Sequence, residues 1–342
     1  MSWIGLCDFE KNAFAPAGLD SRGQPRAGAL AAVPPSLSKG TLLFELPCPT
    51  EFRVVALDYC AGGKEMFRLI VTLDPAGVVK LELERAHAHY ILAVRAKRVP
   101  LDVPIRIAFS WNTEAGIAQL AVMDTGLPES CRTADAEDTV PFPIGALRAI
   151  ILDRPSANWH RSVLYAALSN HIDPQGLPTG LTAGTPVDTV LGPRAIETIR
   201  LGDKVVTEDN GLQPVRWIGQ RIVPAFGAFT PVLLRSPYLG LERDLLVAGT
   251  QRIVVDGDQV SYLFGQNEVL AEARHLVDGR IARFDRSSAF LRLVVPVFDD
   301  DQVLRMAGGR GEGAAMGGLR RVGDRPRLSS HAAANLRLAL SS

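Results

Sequence analysis

Short apolar runs separated by turn residues are the feature that most constrains how this chain folds. In residues 78–84, apolar side chains at 79, 81 and 83 alternate strictly with charged side chains at 80, 82 and 84. Successive side chains of a β-strand point to opposite faces, so this alternation predicts a strand with one buried and one solvated face. The sequence Asp-Pro-Ala-Gly at 74–77 favours a turn and joins this strand to the apolar run at 67–73. The two runs are therefore predicted to form a β-hairpin.

The same pattern recurs over residues 40–169. Further runs lie at 41–46, 52–57, 90–95, 105–111, 117–123 and 147–152, without a convincing amphipathic-helix period. Many short strands with turn signals between them predict an antiparallel β-sandwich, and hence an all-β fold class. Residues 1–39 are rich in Pro, Gly and Ala, and we interpret them as an irregular arm with little core of its own.

The second half of the chain also favours β-structure. Residues 170–179 contain Pro and Gly and are predicted to form a linker, followed by a second domain over 180–310. Asn210 and Gly211 form a strong turn signal between the apolar runs at 205–206 and 215–218, which predicts a hairpin. Further runs lie at 245–255, 269–279 and 291–299, and Pro296 in the last of them predicts an edge strand or a bulge. Residues 311–342 are predicted to be a Gly- and Arg-rich tail with a short helix opened by Ser329 or Ser330.

Three segments of the second half carry a family resemblance. They read Leu-Thr-Ala-Gly-Thr at 181–185, Ile-Arg-Leu-Gly-Asp-Lys-Val-Val at 199–206 and Gln-Pro-Val-Arg-Trp-Ile-Gly at 213–219. This stretch resembles the opening of a bacterial Hedgehog/intein (Hint) domain, a compact all-β self-processing module. The predicted hairpin over 105–123, with Ser110 and Trp111 before its turn, is similar to the concanavalin/laminin-G type of jelly roll. The resemblances imply an N-terminal sandwich followed by a Hint-like domain.

The Hint resemblance implies catalytic residues that this sequence does not contain. The first residue of the family is normally a Cys or Ser nucleophile, and Gly180 matches that position. Where relatives carry Ser-Pro and then a His, this chain has Ala248 and Gly249, and then Gln251. Asp301 is the best match for a further His of the family. Glycine offers no nucleophile and glutamine does not exchange a proton near neutral pH, so two essential groups are missing together.

Two residues are weak substitutes for these groups. A shift of register by one residue would make Thr179 the first residue of the module, but a hydroxyl is a poor nucleophile without an adjacent base. The histidines of the second domain are His275 and His331, and we interpret His275 as structural rather than as a base. The sequence therefore predicts a Hint-like domain without catalytic residues. Residual self-cleavage near residue 180 is the alternative.

Composition and charge limit the classes of partner. Lys plus Arg and Asp plus Glu number 37 each and aromatic residues make up 6%, which disfavours nucleic acid as a partner. No apolar run reaches the ~18 residues that a membrane-spanning helix needs. The N-terminus lacks the pattern of a cleaved secretion signal, and a signal-less export route stays open. The arginines beyond residue 301 are interpreted as a solvated tail, with an anionic partner as the alternative; they are Arg305, Arg310, Arg320, Arg321, Arg325, Arg327 and Arg337.

No cofactor or metal ion is predicted. His87 and His89 share one face of an extended segment, but no third ligand is near them in the sequence. Residues 299–301 are three aspartates without an EF-hand spacing, and we interpret them as a solvated acidic turn. The four cysteines match no zinc pattern, and a Cys48–Cys60 bridge and free thiols both fit the spacing.

These observations predict a binding or structural protein. Carbohydrate binding through the N-terminal sandwich is an extension by fold-level analogy. Tyr90, Trp111 and Trp159 are its candidate sugar-stacking residues, with core or rim packing as the alternative for each. A structural subunit of a secreted appendage or a phage-like particle is a further hypothesis, in which another protein subunit is the partner.

Overall fold

The computed structural model describes residues 2–8, 10–26, 34–62, 66–85, 87–97, 103–177, 179–315 and 325–341. The chain divides into two compact units, Met1–Leu177 and Pro178–Ser342. Each unit is built mainly from antiparallel strands, which confirms the predicted all-β fold class.

The first unit is built around two antiparallel sheets. Its strands are β1 (Trp3–Cys7), β2 (Asn12–Phe14), β3 (Ser36–Leu37), β4 (Lys39–Leu46), β5 (Val54–Ala61), β6 (Phe67–Leu73), β7 (Val78–Arg85), β8 (Ala88–Arg95), β9 (Ile105–Asn112), β10 (Ile117–Asp124), β11 (Arg132–Glu137), β12 (Phe142–Pro143) and β13 (Tyr165–Ser169). Its helical segments are α1 (Ile144–Leu152), α2 (Arg154–Ala157) and the 3-10 helix Pro128–Ser130. One sheet has the strand order β11-β10-β9-β4-β13-β1-β2, the other has the order β5-β6-β7-β8, and β12 pairs with β3. The pairings of β6 with β7 and of β9 with β10 confirm the two predicted hairpins of this half.

The core of the first unit lies between these two sheets. On β6 and β7, the inward side chains of Leu69, Leu81 and Leu83 are at most 1% exposed. They share one hydrophobic cluster with Phe109 of β9 and Leu120 of β10, which belong to the opposite sheet. Apolar side chains of two sheets therefore meet face to face, and the predicted β-sandwich is confirmed.

Residues 147–152, predicted as a strand, belong instead to helix α1. Its buried side chains include Ile144, Leu147 and Ile151, which are spaced by three and four residues. That spacing places them on one side of a helix. The prediction failed because a short apolar run does not distinguish a buried strand from a buried helix.

The segments predicted as an arm and a linker contribute to the sandwich. Strand β1 is buried along its whole length and pairs with β13 and β2, so the predicted irregular arm is wrong for Trp3–Cys7. Near the other end of the unit, the backbone N–H of Asp173 donates to Thr41 Oγ1 at 2.9 Å. The start of the predicted linker is therefore held in the first unit. The prediction missed the packing of Trp3–Cys7 and Asp173, because the Pro and Gly residues near them suggested irregular structure.

In the described residues, the second unit contains three sheets. Its strands are β14 (Leu181–Thr182), β15 (Pro186–Thr189), β16 (Gly192–Ala195), β17 (Lys204–Thr207), β18 (Gly211–Pro214), β19 (Trp217–Pro224), β20 (Val232–Leu234), β21 (Leu245–Val247), β22 (Arg252–Asp256), β23 (Glu268–Glu272), β24 (Ala282–Phe284), β25 (Phe290–Phe298), β26 (Val303–Met306), β27 (Gly309–Glu312) and β28 (Ala314–Ala315). Its helices are α3 (Asp258–Phe264), α4 (Ser330–Ser341) and the 3-10 helices Ile196–Thr198, Gly227–Phe229, Tyr238–Gly240 and Ala273–Leu276. The strand orders are β14-β25-β19 with β28 beside β25, β16-β15-β17-β26-β27-β22-β23 with β18 beside β17, and β21-β20-β24.

The predicted hairpin around Asn210 is confirmed with a different second strand. β17 pairs with β18, with Val206 opposite Leu212. Gly211 has a φ of +63°, a left-handed conformation that glycine adopts without strain. Residues 215–218, predicted as the partner, lead instead into β19, which pairs with β25.

Strand β25 occupies the middle of its sheet, so the predicted edge position of Pro296 is wrong. Pro296 lies opposite Ile218, and no register shift interrupts this pairing of β19 with β25 in the described residues. On its other side, β25 pairs with β14 at Val294 and with β28 from Val297 onwards. Pro296 falls between these two partners. A proline, which has no N–H to donate, is tolerated where the neighbouring strand is interrupted.

The Arg-rich end of the chain is bound to the second unit. The prediction of a solvated tail is therefore wrong for the residues that the structure describes, while Arg320 and Arg321 lie outside them. The arginines that donate to carboxylates or to a backbone carbonyl of this unit are Arg305, Arg310, Arg325, Arg327 and Arg337.

The predicted terminal helix is confirmed as α4. Ser329 Oγ accepts a hydrogen bond from the N–H of Ala332 at 3.2 Å, so Ser329 is the N-cap. Ala333 and Leu336 are completely buried in the core of the second unit. Among the described residues, no helix is both long and apolar enough to cross a bilayer.

Candidate functional site

Gly180 lies directly before β14 and against β25, in a conformation that excludes a side chain. Its φ is +75°, which L-residues rarely adopt. A Cβ at this position would lie 2.7 Å from Val295 Cγ2 and 2.8 Å from the carbonyl oxygen of Val294. One of these two contacts is with backbone, so a cysteine or serine at residue 180 would require β25 to move.

The structure brings together the two segments that the resemblance singles out. The hydroxyl of Thr179 lies 3.0 Å from the hydroxyl of Thr250, in the turn between β21 and β22. This turn is tightly packed, since a Cβ at Gly249 would lie 2.7 Å from the carbonyl oxygens of Ala228 and Thr230. A second hydroxyl is not a base near neutral pH, so this contact does not activate Thr179 as a nucleophile.

Gln251 and Ala248 have structural contacts in the same turn. Gln251 is 2% exposed, and its Nε2 donates to the backbone oxygens of Glu312 at 2.9 Å and of Arg252 at 3.1 Å. Ala248 is fully buried in a small apolar cluster that includes Phe229. Gln251 therefore serves as a hydrogen-bond donor to the backbone, at the position where the Hint resemblance implies a histidine.

His275 lies in an element that supports this turn. The 3-10 helix Ala273–Leu276 contains it, and the N–H groups of Ala273 and Arg274 donate to the carbonyl oxygens of Gln251 and Gly249, each at 2.9 Å. Thr250 was missed by sequence reasoning, because it stands 71 residues from Thr179 and no local pattern links the two. Asp301, the match for a further His, is buried just before β26.

In the first unit, the aromatic candidates for sugar stacking point inward. Trp111 is 1% exposed and donates through Nε1 to the carbonyl oxygen of Leu37 at 3.0 Å. Trp159 is 9% exposed and donates in the same way to Ile150 at 2.8 Å. Both are core residues, which is incompatible with the stacking role predicted for them. Tyr90 is half-buried, and burial raises its pKa to about 12.

The outer face of the β5–β8 sheet carries a row of mostly polar side chains beside exposed apolar ones such as Ile91. Strand register places Cys60, Arg68, Glu84 and His89 side by side in one row across the four strands. Arg68 and His89 are exposed.

In the described residues, no group of three His, Cys, Asp or Glu side chains is placed to hold a metal ion, and the four cysteines are free thiols.

The second unit is thus a compact domain built mainly from β-strands. Residues 179–318 match the family model of the Hint domain, and the predicted resemblance is confirmed for this part of the chain. No curated protein sequence matches the chain.

Several solved structures are similar to parts of the chain. The CBM40 of the Ruminococcus gnavus IT-sialidase, bound to alpha2,6 sialyllactose, is 16% identical over 41% of this chain and 80% of its own, with a TM-score of 0.28. A splice-inactive variant of the AceL NrdHF class 3 split intein is 16% identical over 41% of this chain and 100% of its own, with a TM-score of 0.27. Domains LG4-5 of the mouse laminin alpha1 chain are 9% identical over 92% of this chain and 75% of their own, with a TM-score of 0.27.

Proposed function

We propose that this chain is a binding or structural protein whose Hint domain does not cleave its own backbone. The observation that carries the proposal is the backbone at Gly180. Self-cleavage needs a nucleophilic side chain at this position. Val294 and Val295 of β25 occupy the space that such a side chain would fill.

The position of the missing base supports the same proposal. Proton transfer to and from the reacting groups requires a titratable side chain within hydrogen-bond reach. The amide of Gln251 is instead engaged with the backbone of Glu312 and Arg252. Without a nucleophile and without a base, the domain keeps its fold as a scaffold.

Intact-mass spectrometry after prolonged incubation, with and without an added thiol, tests this proposal. We expect a single species of 36.9 kDa under both conditions. The double variant Gly180→Cys/Gln251→His restores both side chains, and we expect it to stay uncleaved and to lose stability. Efficient cleavage of this variant would contradict the steric argument, and cleavage of the wild type would contradict the proposal itself.

Residual self-cleavage through Thr179 is the alternative. It predicts two fragments that split near residue 180. Their loss in a Thr179→Ala variant, with retention in a matched Thr250→Ala variant, would assign the Thr179 hydroxyl as the nucleophile. Cleavage that persists in the Thr179→Ala variant would exclude the Thr179 hydroxyl as the nucleophile.

For the binding role, we place a carbohydrate on the outer face of the β5–β8 sheet. Arg68, Glu84 and His89 supply hydrogen-bond donors and acceptors in one row, as the hydroxyl groups of a polysaccharide require. Binding there needs no opening of the core, unlike binding at Trp111 or Trp159.

A glycan array tests this placement. We expect retained signal for the wild type, loss of signal for Arg68→Ala/Glu84→Ala, and unchanged signal for the control Gln119→Ala on β10 of the other sheet. No signal from the wild type, together with a large assembly on size-exclusion chromatography, would favour the structural-subunit alternative.

A further inference from the structure

Residues 325–328 lie along the outer edge of β23. The N–H of Leu270 donates to the carbonyl oxygen of Pro326 at 2.9 Å, and the N–H of Leu328 donates to that of Leu270 at 2.8 Å. Arg327 thereby forms a parallel bridge with Leu270. β23 stands at the end of its sheet, so this segment adds to the sheet edge as a short extra strand. Strand addition of this kind is a general way to bind an extended peptide.

Carboxylates on β23, on β27 and in the turn between β17 and β18 pair with two arginines of this segment. Arg325 donates through Nη1 to Asp209 Oδ1 at 2.6 Å and also donates to Glu268. Two residues later, Arg327 donates through Nη2 to Glu312 Oε1 at 2.6 Å. Side chains two residues apart in an extended segment lie on the same face, so both arginines reach carboxylates on one side. Hydrogen bonds between ionised groups are the strong ones.

Apolar groups anchor the residues that follow. Leu328 packs against the core of the second unit, and helix α4 buries Ala333 and Leu336 completely. The whole segment lies beyond residue 318, where the match to the Hint family ends. The Hint domain therefore holds residues 325–341 as an element added to its own fold.

We propose that the edge of β23, together with Asp209, Glu268 and Glu312, is a peptide-binding site. Its ligand is an extended segment with arginines at alternate positions, followed by an apolar residue and a short amphipathic helix. In this chain the ligand is supplied in cis by residues 325–341. The C-terminal segment of a second copy carries the same groups and is the ligand in trans, so exchange of this segment links two copies. The proposal is independent of whether the Hint domain cleaves itself.

Fluorescence anisotropy with a labelled peptide of residues 325–341 tests the site in the full-length protein. In the wild type the tethered segment competes at high effective concentration, so the free peptide binds weakly. In the variant Arg325→Ala/Arg327→Ala the tethered segment has lost its bonds to the three carboxylates. We expect this variant to bind the peptide about tenfold more tightly than the wild type does.

Two controls separate recognition from general charge attraction. The variant Arg305→Ala removes an exposed arginine that pairs with Glu208, outside the segment, and is expected to bind like the wild type. A peptide that carries Arg325→Glu and Arg327→Glu is expected to show no binding. The proposal is overturned if the folded double variant does not bind the peptide, or if it binds both peptides equally. Should the double variant unfold, the single variant Arg327→Ala, which keeps the Arg325 contacts, replaces it in the same comparison, and the same two results would overturn the proposal.

Discussion

The two units hold their buried charges in different ways. In the first unit, Glu45 on β4 and Arg106 on β9 lie opposite each other, with side chains 0% and 4% exposed and Arg106 Nε 2.9 Å from Glu45 Oε1. In the second unit, Arg252 lies 2.9 Å from Glu312 and 3.7 Å from Glu272. In the first arrangement one arginine faces one glutamate, with Tyr165 and Asp173 beside them, whereas in the second Glu312 and Glu272 each contact two arginines. The difference indicates how far a substitution in each unit can be compensated.

Tyr165 shows how strongly the first pair is desolvated. Its hydroxyl donates to Glu45 Oε1 at 3.2 Å. Burial, and after it the Glu45 carboxylate, raise the pKa of Tyr165 well above its ordinary value. The tyrosine therefore keeps its proton and acts as a donor to the carboxylate.

The largest effect is expected from Arg106→Ala. It leaves the Glu45 carboxylate buried without its arginine, which costs about 3–5 kcal/mol of unfolding free energy. Urea denaturation followed by tryptophan fluorescence measures this, because Trp3, Trp111 and Trp159 lie in the first unit. The apolar pair Glu45→Leu/Arg106→Met is the matched control and should recover most of the loss. A loss of unfolding free energy below about 1 kcal/mol for Arg106→Ala would contradict the expectation that charge substitutions cost more in the first unit than in the second.

A smaller effect is expected from Arg327→Ala in the second unit. Glu312 keeps Arg252 at 2.9 Å in this variant, so its charge stays compensated. We expect a loss of about 1.5–3 kcal/mol, the usual scale for hydrogen bonds to a charged group, since Arg327 donates twice to Glu312 Oε1. Hydrogen exchange at the amide of Leu270 reports on the same edge and should accelerate. A loss as large as that of Arg106→Ala would show that the network does not share its charges.

Acid should weaken the second unit through Glu268. Burial raises the pKa of this carboxyl, but hydrogen bonds from Arg310 and Arg325 outweigh it and hold the pKa below its ordinary value of 4.5. A group whose pKa is lower in the folded state stabilises the fold above its unfolded pKa, and this contribution is lost as the pH falls through the folded pKa. The urea midpoint of the second unit should therefore fall as the pH is lowered from neutral through 4.5 and then through the lower pKa of the folded state.

The variant Glu268→Gln is the control for this pH dependence. It removes the titrating group, so its midpoint should change less over the same range. Arg325→Ala should also flatten the profile, since it removes one of the two arginines that lower the pKa of Glu268. A profile identical to that of the wild type in both variants would assign the acid sensitivity to other carboxylates.

The smallest effect is expected from Lys80→Ala on the outer face of the β5–β8 sheet. Lys80 and Glu82 lie 2.7 Å apart, but their side chains are 41% and 40% exposed. Solvent screens such a pair, so we expect a change below about 0.5 kcal/mol. A loss comparable to that of Arg327→Ala would mean that burial does not set the order of these effects.

The sequence predicted those parts of the fold that local alternation encodes. The strict alternation at 78–84 appears in the structure as β7, and the turn signal at 74–77 joins it to β6. Strand β1 was missed because all five of its residues are buried, so no period of two is visible at Trp3–Cys7. Helix α1 was predicted as a strand because a short apolar run does not distinguish a buried helix from a buried strand.

At the candidate site, residue types were predictable and contacts were not. The residues at positions 180 and 251, Gly180 and Gln251, could be read from the sequence, and the lack of a nucleophile and a base stays a prediction. That β25 fills the space beside Gly180 depends on pairing between residues more than a hundred positions apart. The arginines at 325 and 327 were interpreted as solvated because their carboxylate partners stand elsewhere in the chain.

The central position of β25 has a consequence for protein engineering. A designer who wants to place a nucleophilic side chain in this domain would begin by exchanging the residue at 180. The obstacle, however, is partly a carbonyl oxygen of a strand held on both sides, and no side-chain choice at Val294 removes it. Redesign would first have to move the backbone of β25 at Val294 away from residue 180. Only after that would the choice of nucleophile at residue 180 matter.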